Sequence, residues 1–451
     1  MNAISILGII FIPISIILLF LPIKYTIALV IISTVFQAAS VITVGGNSIS
    51  PLLYSCAALV FKQCLDWLVA GKITKYKIKW FKYYVAFLIA IVLITLFSPT
   101  LFGDVPVIVS TRPITYSPLY VVARNNSLSN IITLIAYGLA LYIISIHKKE
   151  IENREVFRWF RFLLTIVLIV GFAQFVCKKM GVLYEFWKSL IYSKTDTVSI
   201  EAFYFNVEPR FIATFMEASY CGGFIAPALI AIFVAFGMRT KTFPVIIALI
   251  AAVLLNQSST GLVIVGLSFL VYYLVSRNVN TKILFPIVGA VGVGALVIFG
   301  YGDTLSERIL TKGSTSSGIQ RSAMNASCIS TLWNTHLLGA GLNNIRGSSF
   351  IFSILGQVGV VGLGLFIAFL ISLMREQKPN RIFNPSEDDD ICYRKFSIIF
   401  LLCVLLGMCL SEPDLFLSTF WLAMMMVALT NKSKESFYSN GMYEESNQTT
   451  F

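Results

Sequence analysis

Histidine, charge and paired cysteine are scarce in this chain. Its 451 residues include two histidines, His147 and His336. A histidine-rich metal site is therefore excluded, and a carboxylate-only one would have few ligands to draw on. The eight cysteines form no CxxC pair, and most lie in or beside apolar runs. They read as small hydrophobes rather than as metal ligands or a disulfide framework. No GxxxxGK[ST] phosphate loop occurs, and the Gly339–Gly341 pair is too short for a nucleotide fingerprint, so no cofactor is expected. No Ser-His-Asp set stands out. Met1 to Phe20 has no n-region charge and no small-residue cleavage site, so the first apolar run is expected to be a retained helix.

Apolar residues take the place of what is missing. The chain is 57% hydrophobic and only 12% charged, with a mean hydropathy of +0.83. These values exclude an ordinary soluble globule and a disordered chain. About 13 apolar segments recur, many long enough to span a bilayer. They fall near 3–22, 25–45, 51–70, 83–102, 129–146, 162–177, 215–237, 243–256, 260–275, 283–300, 350–373, 396–411 and 416–430. Backbone in lipid must satisfy its own hydrogen bonds, so these segments predict helices. The expected fold is all-α, a polytopic integral membrane protein with about 11–14 transmembrane helices in one domain over 1–451. The short segment 243–256 either tilts or forms a broken pair with 260–275.

Basic residues cluster in four connections: Lys72 to Lys82, Lys148 to Arg161, Arg239 with Lys241, and Arg375 to Arg381. All four fall on one side if the segments alternate, which predicts that side to be cytoplasmic. The net charge of +12 then marks orientation rather than a nucleic-acid partner. The tail over 431–451 is expected in the cytoplasm and the N-terminus outside. The opposite face receives residues 103–128 and two long loops, 178–214 and 301–349. Long loops in compact folds are usually functional.

Two features of those loops carry chemistry. Arg210 and Glu217 enter the apolar segment near 215–237, where charge is costly and needs compensation. If a helix begins at Arg210, then Arg210, Thr214, Glu217 and Cys221 share one face. The pair is either an internal ion pair or part of a pocket in which Arg210 binds an anion. The second long loop is unbalanced: from Arg308 to Leu373 there is no Asp or Glu, while Arg308, Lys312, Arg321, Arg346 and His336 are present. Such a stretch binds lipid headgroups or forms a pocket for phosphate or pyrophosphate, for which arginine's planar fork is suited. Ser316 to Arg321 predicts a serine-capped helix start, with the helix running to about Trp333. Gly339-Ala340-Gly341 ends it, and Asn343-Asn344 suggests a turn. Gly356, Gly359, Gly362 and Gly364 read as close helix packing rather than ligand contact.

Three stretches together resemble the Wzy/WaaL superfamily of O-antigen polymerases and ligases. Arg210 through Glu217-Ala218-Ser219-Tyr220 to Gly222-Gly223 is similar to the family's Arg…Glu-Pro-Ser…Gly. Asn256-Gln257-Ser258-Ser259-Thr260-Gly261 is similar to its Ser-Arg-Thr-Gly turn, without the arginine. Arg321, then His336-Leu337-Leu338-Gly339-Ala340-Gly341, then Gln357-Val358-Gly359-Val360-Val361-Gly362 resembles its Arg, Pro-Leu-Leu-Gly-x-Gly and Glu-x-Gly-x-x-Gly. The ligase branch carries a histidine about nine residues before that Glu; Ser348 and Ser349 stand there instead.

The resemblance implies a metal-independent glycosyltransferase of the bacterial inner membrane with its active site facing the periplasm. The missing histidine favours a polymerase over a ligase, and a lipid-linked oligosaccharide flippase is the alternative from another class. The implied substrate is an oligosaccharide on undecaprenyl pyrophosphate. Arg210 and Arg321 are implied to hold the pyrophosphate, with Arg308 as a substitute for the second. Glu217 either acts as base or orients Arg210. Lys312, His336 and Arg346 are further pocket candidates. A chain-length regulator and a flippase are the implied membrane partners.

Overall fold

The computed structural model describes residues 3–71, 78–111, 114–125, 129–193, 209–275, 316–375 and 389–430. In chain order the helices are α1 (Ile6–Leu19), α2 (Ile23–Ser33), α3 (Pro51–Ala70), α4 (Lys79–Leu101), α5 (Leu119–Asn125), α6 (Ser129–Ile146), α7 (Asn153–Met180) and α8 (Tyr184–Ile191). They continue with α9 (Ala218–Phe236), α10 (Phe243–Asn256), α11 (Ser259–Val275), α12 (Ser316–Asn334), α13 (Phe350–Met374), α14 (Asp389–Ser411) and α15 (Ser418–Thr430). Among the described residues seven of these, α3, α4, α6, α7, α9, α13 and α14, are long and apolar enough to cross a bilayer. Five shorter apolar helices pack with them. The expected segment 283–300 lies outside the described residues.

Helix α9 is the centre of the bundle. It is apolar all round, as a fully enclosed helix must be, and 78% of its membrane window is buried. Phe224 on α9 meets Phe160 of α7 and Phe400 of α14 in a buried aromatic cluster. Helix α15 is buried along its whole length. Its 13 described residues cover about 20 Å.

One expected segment needed correction, and two local features add to the frame. The apolar segment 25–45 is not one helix: α2 stops at Ser33, and the chain then forms turns whose backbone groups bond elsewhere. Ala38 N donates to Thr214 O at 3.2 Å and Val41 N to Ile49 O at 2.8 Å. Two small sheets accompany this helical frame. One is three-stranded, β1 (Ala3–Ile4), β2 (Ile42–Val44) and β3 (Asn47–Ile49), antiparallel in that order. Its hairpin turns at Gly45-Gly46, both at positive φ (59° and 87°), the conformation a two-residue hairpin needs. The other pairs β4 (Pro106–Thr111) with β5 (Ile114–Pro118) inside the loop 103–128. The pair 243–256 and 260–275 is two helices, α10 and α11, joined by a tight turn. Gln257 takes φ 52°, and each helix packs separately on α9.

The polar contacts sort to two ends of the bundle. At one end Lys24 meets Glu155 (3.3 Å), His147 meets Gln63 (2.8 Å), Asn153 meets Asp390 (3.0 Å) and Arg239 meets Asp389 (3.4 Å). The described parts of the basic connections gather here. At the other end lie the loops that carry the three motif stretches.

Candidate functional site

The first motif stretch is not helical where expected. Residues 209–217 are irregular, Ala213 stands at φ 54°, and α9 begins only at Ala218 with Glu217 as its N-cap residue. Arg210, Thr214, Glu217 and Cys221 therefore do not share a helix face. The backbone of 209–217 finds distant partners instead. Phe211 N donates to Leu255 O at 3.1 Å, and Tyr192 Oη donates to Ala213 O at 2.9 Å. Thr214 Oγ1 donates to Val35 O. Buried Asn256, at the end of α10, clamps both sides of the stretch: its Nδ2 donates to Phe211 O (2.6 Å) and Ala218 O (2.9 Å). Beside it Gly222 of α9 and Gly261 of α11 touch backbone to backbone, at a spacing that leaves little room for a side chain. The second motif stretch is thus the support of the first.

The third stretch docks into a break in α13. The described helix runs from Ser316 to Asn334; what immediately precedes it lies outside the described residues. The following loop turns through Gly339 and Gly341, both at positive φ. Its backbone substitutes for the ladder of α13 where Gly359 (φ 64°, ψ −165°) interrupts that helix. Ala340 N donates to Gly356 O (2.8 Å), Gly341 N to Gln357 O (2.8 Å), and Val360 N to Leu337 O (3.1 Å). Gly359 is therefore a docking break, not a helix-packing glycine, whereas Gly356 does pack against Cys328 of α12. Further anchors hold the loop. Leu342 N donates to Thr95 Oγ1 (3.0 Å), Gln357 Nε2 to Ile345 O (2.8 Å) and Ser348 N to Asn325 Oδ1 (2.8 Å).

This loop aims Arg346 at the first stretch. Arg346 Nη2 donates to Tyr220 Oη at 3.1 Å, in the first turn of α9. Glu217 stands at the N-cap position of that helix without a side-chain capping bond, is exposed, and accepts from Ser219 Oγ at 3.1 Å. Two carboxylates from the turn after α14 complete the cluster. Asp414 Oδ1 accepts from Phe416 N at 2.8 Å. Glu412 is 1% exposed, and its two oxygens have no hydrogen-bond partner among the described residues. Its carboxyl lies directly against Gly223 of α9, in space any side chain there would fill.

Electrostatics follow from this placement. Burial works against the Arg346 charge, but Tyr220, Asp414 and Glu217 outweigh it and raise its pKa, so the guanidinium stays charged. Burial first, and the neighbouring Glu217 charge second, hold the Glu412 carboxyl well above the ordinary carboxylate range, favouring its protonated form. Among the described residues no three His, Cys, Asp or Glu side chains converge as a metal-ligand set.

The other expected residues are scattered. Arg210 is half-buried within electrostatic range of Lys178, at the end of α7. No ion pair joins Arg210 to Glu217 among the described residues. Arg321 is half-buried on α12, one turn before the Asn325 that anchors Ser348. His336 takes φ 49° and sets its ring edge-on to Phe102 at 5.7 Å, apart from the cluster. Arg308 and Lys312 lie outside the described residues. Tyr220, Glu412 and Asp414 escaped the sequence reading. Ser411-Glu412-Pro413-Asp414, two carboxylates between apolar runs, is open to the same cost argument that singled out Arg210.

Fold and site together define a multi-pass helical membrane protein with an ionisable cluster at one end of its bundle. No family profile matches the chain, and no curated protein or solved structure is significantly similar to it.

Proposed function

We propose that this protein is an O-antigen polymerase: it transfers a growing glycan from undecaprenyl pyrophosphate to a lipid-linked repeat unit on the periplasmic face of the inner membrane. One observation carries the reading. The three motif stretches, far apart in sequence, meet at one end of the bundle through the Asn256 clamp, the Gly222–Gly261 contact and the Arg346–Tyr220 bond. A cation on the docked loop thereby meets the Tyr220 phenol, three residues from the exposed Glu217 carboxylate.

In this reaction an acceptor sugar hydroxyl attacks the donor's anomeric carbon. The bond from that carbon to the pyrophosphate oxygen breaks, and its electron pair leaves with the pyrophosphate. Arg346 binds the pyrophosphate and stabilises the charge that grows on it, where electrostatic catalysis is strongest; Arg210 and Arg321, which stand apart from it, join only if the bound substrate spans them. Glu217 takes the hydroxyl proton. Glu412 stays protonated beneath it, so that two like charges do not compete at one site.

A purified sample supplied with a defined undecaprenyl-pyrophosphate-linked repeat should lengthen it. Arg346→Ala should lower turnover by about 10²–10³, the usual loss for one donor of charge stabilisation. Lysine there should rescue poorly, because it lacks the bidentate fork. Unchanged chain lengths in the Arg346, Arg210 and Arg321 alanine variants would sink the proposal. The buried, unpartnered Glu412 favours a second reading, a proton-driven flippase of the same lipid-linked sugars. That protein would move substrate between leaflets of proteoliposomes and form no glycosidic bond. A ligase would instead require lipid A-core as acceptor.

A further inference from the structure

At the end of the bundle opposite the candidate site, a cleft of about 670 Å³ opens between the start of α7, the turn joining α9 to α10, and the start of α14. Arg154, Arg158, Arg161, Arg239 and Lys241 line it, against one carboxylate, Asp389. Arg154, Arg158 and Arg161 follow the i, i+4, i+7 spacing of one helix face. They stand in the first three turns of α7, and at Arg154, in the first turn, the helix dipole also opposes positive charge. Among the described residues no ion pair includes any of the three: Glu155 bonds Lys24 and Asp389 bonds Arg239. Helix stability alone disfavours this arrangement.

The shape of the cleft identifies what offsets it. Arg161 lies about 12 Å along α7 from Asn153, so the cations descend from the helix end toward apolar depth. Partly exposed Phe157 and Val245 line the same cleft, over buried Leu164 and Ile232. A soluble anion would use the arginines and leave the apolar wall idle. We infer that this cleft binds an anionic phospholipid, the phosphate headgroup held by Arg158, Arg161 and Arg239 and an acyl chain lying beside Phe157 and Val245. The inference is independent of the polymerase reading.

The test is native mass spectrometry of the delipidated full chain titrated with phosphatidylglycerol or with phosphatidylcholine of the same acyl chains. Phosphatidylglycerol should be retained selectively. The double variant Arg158→Gln, Arg161→Gln should weaken its binding about 30-fold, roughly fivefold per cation, and leave phosphatidylcholine unaffected. Lys79→Gln with Lys82→Gln removes the same charge at this end but outside the cleft, and should change nothing. Should the arginine pair fail to fold, Arg154→Gln with Lys241→Gln must produce the same loss. Equal retention of the two lipids, an equal loss in the Lys79/Lys82 control, or inorganic phosphate bound as tightly as the lipid would each overturn the inference.

Discussion

Replacing Gly359 by alanine should release the loop that carries Arg346. A Cβ at this position would meet the Leu337 carbonyl oxygen, and would stand 2.7 Å from the Leu338 carbonyl carbon, backbone that cannot swing aside. The residue's φ of 64° with ψ of −165° lies in a region essentially reserved for glycine, where any other residue costs about 1–3 kcal/mol. Relieving the clash means undocking three backbone hydrogen bonds, from Ala340, Gly341 and Val360, each contributing about 0.5–1.5 kcal/mol net. The combined loss is about 3–7 kcal/mol. Gly364→Ala is the matched control: same helix, negative φ and nothing near its Cβ position. It should gain up to about 1 kcal/mol from helix propensity. Thermal unfolding of both variants in one detergent, with limited proteolysis across 335–349, reads the difference. Gly359→Ala should unfold well below the parent and be cut in the loop. If it melts with the parent and resists cleavage, the docking break is not what holds the loop.

Two further outcomes follow from buried polar groups. Asn256→Ala should leave the carbonyls of Phe211 and Ala218 without their buried donor, costing about 2–5 kcal/mol; a thermal shift within error of wild type would refute the clamp. Glu412 binds its proton more tightly folded than unfolded, so its contribution to stability is retained below the unfolded carboxylate pKa of about 4.5 and lost as pH rises from there toward its raised folded value. Glu412→Gln should remove that decline and be relatively more stable near neutral pH, and parallel stability–pH curves for the two proteins would contradict the burial argument.

Much of the helical frame was legible because a chain in lipid has one way to satisfy its backbone. Segment after segment of apolar residues became a helix at nearly the expected position, and residues 316–321 lie within α12. The misreadings have a common cause. Residues 34–41 and 209–217 are apolar enough to pass for helix, yet their backbone groups bond to each other and to α10. Hydropathy does not reveal that a peptide group has a better partner elsewhere in the chain. For the same reason Gly359 looked like one of a series of packing glycines, although its neighbour is the Leu337 backbone.

The sequence by itself determined that this is a multi-pass helical protein, which connections are basic, and where its loops turn, because burial cost and turn chemistry are local properties. It also raised the question of Arg210, a charge at the edge of an apolar helix. Only the tertiary structure decided which cation stands at the start of α9. Arg346 reaches Tyr220 near the N-cap residue Glu217, while Arg210 lies near Lys178. Only the fold set Glu412 against Gly223. Pairings of this kind depend on which helix ends share a face of the bundle, and that is settled by packing across the whole chain.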